Sequence, residues 1–210
     1  MSSGCGNHHH ELPAFAEEPG RLLAYRRTLW IALVLNASMF VVEIAAGHAS
    51  RSLALFSDSL DFFSDSVTYA LTLGVLSAAL VHRARAAIFK AASMALFGGG
   101  ILVAALWRVT HGVPPEAPVM GGVGVLALGV NVVVALLLLR HRGGDANRRS
   151  VWLCSRNDAI GNVVVVLAAA GVAVTGTGWP DLVVAASMAT LSLWTASTIM
   201  RQARAELARA

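Results

Sequence analysis

The sequence predicts an all-α integral membrane fold with six transmembrane helices, and three observations carry that reading. Of 210 residues, 56% are hydrophobic and only 13% charged, where a soluble domain carries about 25% charged residues. Six apolar runs each reach the roughly 20 residues that a helix needs to cross a bilayer. The basic residues gather in the connectors between those runs, as membrane topology requires. That placement also removes the case for a nucleic-acid partner, despite a net charge of +4 and a pI near 9.8.

Residues 1–27 are polar and rich in Gly, Pro, Glu and Arg. They are expected to form a disordered cytoplasmic tail. Cys5, His8, His9, His10 and Glu11 give this tail either a weak metal-capturing tract or nothing beyond its composition. The first apolar run starts late and is long, so no cleavable signal peptide is expected. The predicted helices cover about 28–47, 52–81, 86–110, 119–139, 150–174 and 180–200, within a transmembrane domain of 28–201. A short cytoplasmic tail, 202–210, is expected to follow. The runs His111–Pro115 and Thr175–Pro180 are breakers, rich in Gly and Pro. Cys5 and Cys154 fall in a polar tail and an apolar helix, which implies no disulfide framework.

Arginine placement predicts the orientation. Arg21, Arg26 and Arg27 precede helix 1, and Arg83, Arg85 and Lys90 lie between helices 2 and 3. Arg140, Arg142, Arg148 and Arg149 lie between helices 4 and 5, and Arg201, Arg204 and Arg209 follow helix 6. The other side carries Arg51 and Arg108. By the positive-inside rule both termini are cytoplasmic. A multi-pass protein of a bacterial inner membrane is expected.

Polar residues are unevenly shared among the helices. Helix 2 carries Asp58, Asp61 and Asp65 at steps of three and four residues, which places all three on one helical face. Ser57, Ser64, Thr68 and Thr72 widen that face into a stripe. A carboxylate at mid-membrane depth costs roughly 2.5–3.5 kcal/mol on insertion scales, so three need compensation, which a metal ion with exchangeable protons supplies. Helix 1 has Asn36 and Glu43, helix 4 has Asn131, and helix 5 has Cys154, Asn157, Asp158 and Asn162. Helices 3 and 6 show no ionisable group near their centres, only small residues such as Gly98, Gly99 and Gly100. Helices 1, 2, 4 and 5 are therefore expected around a polar pathway, with 3 and 6 peripheral.

Asp61 and Asp65 form an i, i+4 pair, and Cys154 and Asp158 form a second. Asp65 and Asp158 each lie about 11 Å from the inferred cytoplasmic end of their helix at 1.5 Å per residue. Two facing pairs at matched depth make four ligands, the number that tetrahedral zinc takes.

These residues resemble the cation diffusion facilitators, exporters of zinc, cobalt and cadmium. Asn36 to Glu43 and the following SRSLALFSD are similar to that family's first two helices. Its His-or-Asp-x-x-x-Asp pair falls on Asp61 and Asp65. Asp145-x-Asn147-x-Arg149, then VWLCSRNDAIGN, is similar to the run into the family's helix 5. The resemblance covers all six helices and departs at three points. Cys154 stands where the family has His or Asp, Arg156 stands where a small or apolar residue is usual, and the chain ends at Ala210. It therefore looks like a short form without the family's C-terminal cytoplasmic domain. The family's His-rich loop is reduced to His141-Arg142-Gly143-Gly144.

The resemblance implies proton-coupled export of a divalent metal, Zn²⁺ first and Cd²⁺ or Co²⁺ next, with H⁺ as counter-ion. It implies a homodimer in the bilayer, no enzyme activity and no cofactor beyond the transported metal. Asp61, Asp65, Asp158 and Cys154 would be the ligands. Asp58, Glu43, Asn36, Asn157 and Asn162 would stand beside them or on a proton path. Arg156 is expected to reach the membrane surface. Metal binding needs deprotonated ligands and so releases protons. The rival readings are a transporter of another cation class and a non-transporting, metal-responsive accessory protein. An enzyme using Cys154 lacks an intramembrane histidine to serve as its base.

Overall fold

A computed structural model describes residues 19–74, 80–141 and 146–207. Six helices follow one another: α1 (Pro19–Ser50), α2 (Leu53–Gly74), α3 (Leu80–His111), α4 (Ala117–Leu139), α5 (Ala146–Thr175) and α6 (Trp179–Leu207). The predicted count holds, and the ends move. α1 begins at Pro19, inside the segment expected to be a tail, because proline suits a first helical position where its missing N–H is not needed. α6 runs on to Leu207 through RQARAEL, a stretch of good helix formers. The Cys5–Glu11 tract lies outside the described residues, as do Arg142 and Asp145.

α1, α3, α4, α5 and α6 are each long and apolar enough to cross a membrane. α2 carries its three aspartates within 22 residues. At 1.5 Å per residue it still reaches about 33 Å, enough for a hydrocarbon core of roughly 30 Å. The bundle is apolar outside, and charged and amide groups lie inside it among apolar packing. Val41, Leu96, Leu106 and Leu167 are exposed, while Asn36, Glu43, Asp58, Asn131 and Asn162 are buried. Water would reverse that order, and a bilayer requires it. The chain is a multi-pass membrane protein.

α1 packs along α2, α4 along α5, and α3 along α6. α2 also meets α3, α5 and α6, so the aspartate helix is central. Small residues permit these approaches. A Cβ on Gly124 of α4 would meet Val166 and Val165 of α5 at 3.3 and 3.4 Å. Of the Gly98–Gly100 run only Gly98 faces a neighbour, where a Cβ would meet Leu193 of α6 at 3.4 Å.

The end opposite the termini is tied together by hydrogen bonds. The α1–α2 turn closes with Ser52 N–H on the Gly47 carbonyl at 3.0 Å and places Arg51 at φ +58°. Glu116 N–H, before α4, donates to the Ser50 carbonyl at 2.9 Å, and Arg108 at the end of α3 donates to the Arg51 carbonyl. Asp181, in the first turn of α6, caps α2. Its Oδ1 accepts from Ser52 Oγ at 2.6 Å and Ala54 N–H at 3.0 Å, and its Oδ2 from Leu53 N–H at 2.9 Å. Sequence reading passed over Asp181, which is buried. Its partners are 127–129 residues away in the chain.

Asp181→Ala is expected to leave the Leu53 and Ala54 N–H groups unpaired. Each unsatisfied buried donor costs about 1–3 kcal/mol. A lower thermal unfolding temperature in detergent is the expected result, and an unchanged one would show that the cap contributes nothing.

Candidate metal centre

The centre is built on α2. Asp58 and Asp65 are buried and Asp61 half-buried, all on the side that meets the other helices. Asp65 is fixed from its own helix. Tyr69, four residues on and 1% exposed, donates its hydroxyl to Asp65 Oδ2 at 2.7 Å. That phenol holds one carboxylate oxygen and leaves the other to turn toward α5.

There it meets Asp158. The two side chains are within hydrogen-bonding range of one another, and Asp61 lies within electrostatic reach of both. α2 and α5 are in contact, as the two facing pairs require. Cys154, one turn before Asp158 on α5, is buried. Its sulfur is in a disulfide, where the sequence implied none, so a ligand role belongs to the reduced chain. As the side chains stand, no three His, Cys, Asp or Glu among the described residues are gathered closely enough to hold an ion. An ion would have to draw the carboxylates of α2 and α5 together.

α3 and α6 are less peripheral than predicted, because each sends one polar group to this face. Lys90, the only lysine in the chain, is grouped in the sequence with the connector charges although the helix predicted over 86–110 contains it. It lies inside α3, 6% exposed, and its Nζ donates to Thr68 Oγ1 of α2 at 2.7 Å. It is within electrostatic reach of Asp65, Asp158 and Asp61. Ser192 of α6, also buried, is within hydrogen-bonding range of Asp61. No run of polar residues flags Lys90, and its neighbours in sequence are apolar. The helical spacing from Asp65 to Tyr69 was a readable signal.

The remaining predicted residues divide. Asn162, with its amide nitrogen toward α2, donates to Asp58, at 2.9 Å to Oδ1, and its oxygen accepts from Asn131 Nδ2 of α4 at 2.7 Å. Glu43 of α1 is buried next to Asp58. Asn36 is buried and donates to the Ala32 carbonyl at 2.8 Å, within its own helix. Asn157 does not face the centre. It is exposed and accepts from Arg156 at 3.2 Å. At 3.6 residues per turn it sits about 100° around α5 from Asp158, off the stripe of Cys154, Asp158 and Asn162. Arg156 is exposed too, with its guanidinium 5.4 Å from the Trp152 ring centre.

The cation efflux transmembrane domain model matches residues 29–208 of this chain. The chain belongs to the cation efflux family. Its resemblance to the cation diffusion facilitators therefore holds over all six helices. A cadmium, cobalt and zinc/H(+)-K(+) antiporter of Bacillus velezensis is 26% identical over 174 residues, covering 74% of this chain and 54% of that protein. The metal cation efflux system protein CzcD of Cupriavidus metallidurans is 29% identical over 171 residues, covering 76% and 54%. The calcium/manganese antiporter SLC30A10 of Mus musculus is 33% identical over 143 residues, covering 61% and 30%. This cation efflux chain spans about half the length of the first two relatives.

Proposed function

We propose that this chain moves a divalent transition metal out of the bacterial cytoplasm across the plasma membrane, in exchange for protons. The reading rests on one observation above all. Asp65 of α2 and Asp158 of α5 face each other inside a bundle whose outer surface is apolar. The names of the bacterial relatives, a cadmium, cobalt and zinc antiporter and a metal cation efflux system protein, support the same class of substrate.

Asp61, Asp65 and Asp158 would bind the metal, with reduced Cys154 as fourth ligand. Unpaired carboxylates are costly in the membrane, so the empty site takes up protons, and metal binding displaces them. A bundle that opens alternately to each side then exchanges one for the other. The three carboxylates, the Cys154 thiolate and the Lys90 ammonium would sum to −3, so a divalent ion is more than balanced by the groups around it. Zn²⁺ is the first choice of cargo, with Cd²⁺ and Co²⁺ next. Both termini would be cytoplasmic, and the working unit would be a homodimer.

Metal uptake into proteoliposomes, with and without a pH gradient, tests this directly. Gradient-dependent flux of Zn²⁺, Cd²⁺ or Co²⁺ is the expected result, and no flux for any of them from folded protein overturns it. Under reducing conditions Cys154→Ser is expected to keep transport and lose preference for Cd²⁺ by about tenfold, because a thiolate favours soft ions. An unchanged preference would remove Cys154 from the ligand set.

A further inference from the structure

Glu43 is the least explained charge in the bundle. It is 0% exposed, and neither carboxylate oxygen has a donor among the described residues; only Asp58, another carboxylate, lies within hydrogen-bonding range. It faces Asp58, also 0% exposed, across the α1–α2 contact. Two acidic side chains thus point at each other, away from water. α5 adds Asn162 against Asp58, and α4 adds Asn131 against Asn162, with Asn131 Oδ1 buried and unpartnered. Four helices converge on this point.

We propose that Glu43, Asp58, Asn131 and Asn162 form a second cation site, taking a divalent ion through oxygen atoms alone. Two carboxylates neutralise two positive charges, and amide oxygens complete a hard-ligand shell. Sulfur and imidazole are not among these groups, so the site suits hard ions such as Mn²⁺ better than soft ones. Asn162 makes it switchable. With its nitrogen toward Asp58 it saturates that carboxylate by hydrogen bonds. Turned over, it would present oxygen to Asp58 and nitrogen to Asn131 Nδ2, so Asn131 would have to turn with it and bring its unpartnered Oδ1 round as the cation binds. Asp58 is three residues from Asp61 on α2, about 4.5 Å along the axis, toward the end tied by Asp181. The site would be a stopping point beside the carboxylate centre, a role that rests on the export reading above. Binding itself does not depend on that reading.

The test is Mn²⁺ binding to the whole chain in detergent, followed by electron paramagnetic resonance, on preparations monodisperse by size exclusion. Wild type is expected to hold two ions per chain. Asp61→Asn/Asp158→Asn, which silences the first centre, should keep one. Glu43→Gln, which preserves shape, should also keep one, and the triple variant none. Asp58→Asn repeats the Glu43 test from the other helix. The inference is overturned if Asp61→Asn/Asp158→Asn binds no ion, which would mean that Glu43 and Asp58 share a proton instead. It is equally overturned if neither Glu43→Gln nor Asp58→Asn changes the stoichiometry. If Asp61→Asn/Asp158→Asn loses nothing while Glu43→Gln loses one ion, the export reading fails and the second site stands.

Discussion

Asp158→Ala is expected to reduce gradient-dependent metal flux at least a hundredfold, to the background of empty liposomes. Losing a group that only orients a ligand commonly costs 10–100-fold in affinity or activity, and Asp158 is read as a ligand. It is the one carboxylate that α5 brings within hydrogen-bonding range of Asp65. Without it α5 would offer the ion only the Cys154 sulfur, too little to hold α2 to α5 through the ion, so both affinity and the coordinated movement are lost. Asp61→Ala should behave alike. Unchanged elution and an unchanged thermal transition would separate this loss from misfolding. Wild-type flux in either variant would remove that residue from the centre, and in both would end the assignment of the centre to these aspartates.

Lys90→Met is expected to tighten metal binding by about tenfold or more and to slow release. The ammonium stands among the carboxylates that would hold the ion, so it has the sign of the cargo and opposes its entry. At an effective dielectric near 20, two unit charges about 6 Å apart interact by roughly 3 kcal/mol, and a divalent ion doubles that. Part of the gain is lost because the uncompensated carboxylates take up protons, which leaves a tenfold effect as the conservative expectation. Methionine fills the lysine's volume, so packing is little disturbed. Lys90→Arg separates charge from shape. It should keep the wild-type affinity if charge alone matters, at the cost of crowding Thr68. Dissociation constants by calorimetry, paired with flux in liposomes, decide the matter. Equal affinity in Lys90→Met and wild type would reduce the lysine to a hydrogen bond on Thr68.

The six helices and the acidic stripe were legible because they are local properties. An apolar run of about 20 residues is a span wherever it occurs, and steps of three and four residues share a helical face whatever the helix packs on. Asp65 and Asp158 could be expected at like depth because helical rise is constant. Asn157 is exposed and turned from Asp158, because adjacency in sequence is not adjacency around a helix. α1 and α6 outran their predicted ends because a helix does not stop where its apolar stretch does.

The sequence by itself determined that this is a six-helix membrane protein with three aspartates on one face and a fourth acidic position waiting on helix 5. Those facts follow from hydrophobicity and helical period, which each segment carries alone. Only the tertiary structure decided which groups surround the aspartates. Lys90 and Ser192 come from helices that look plain in sequence, Asp181 caps a helix 127–129 residues away, and Glu43 meets Asp58 across a turn. The physical reason is that a buried charge is defined by its neighbours, and neighbours from different helices are chosen by packing, which no local pattern records.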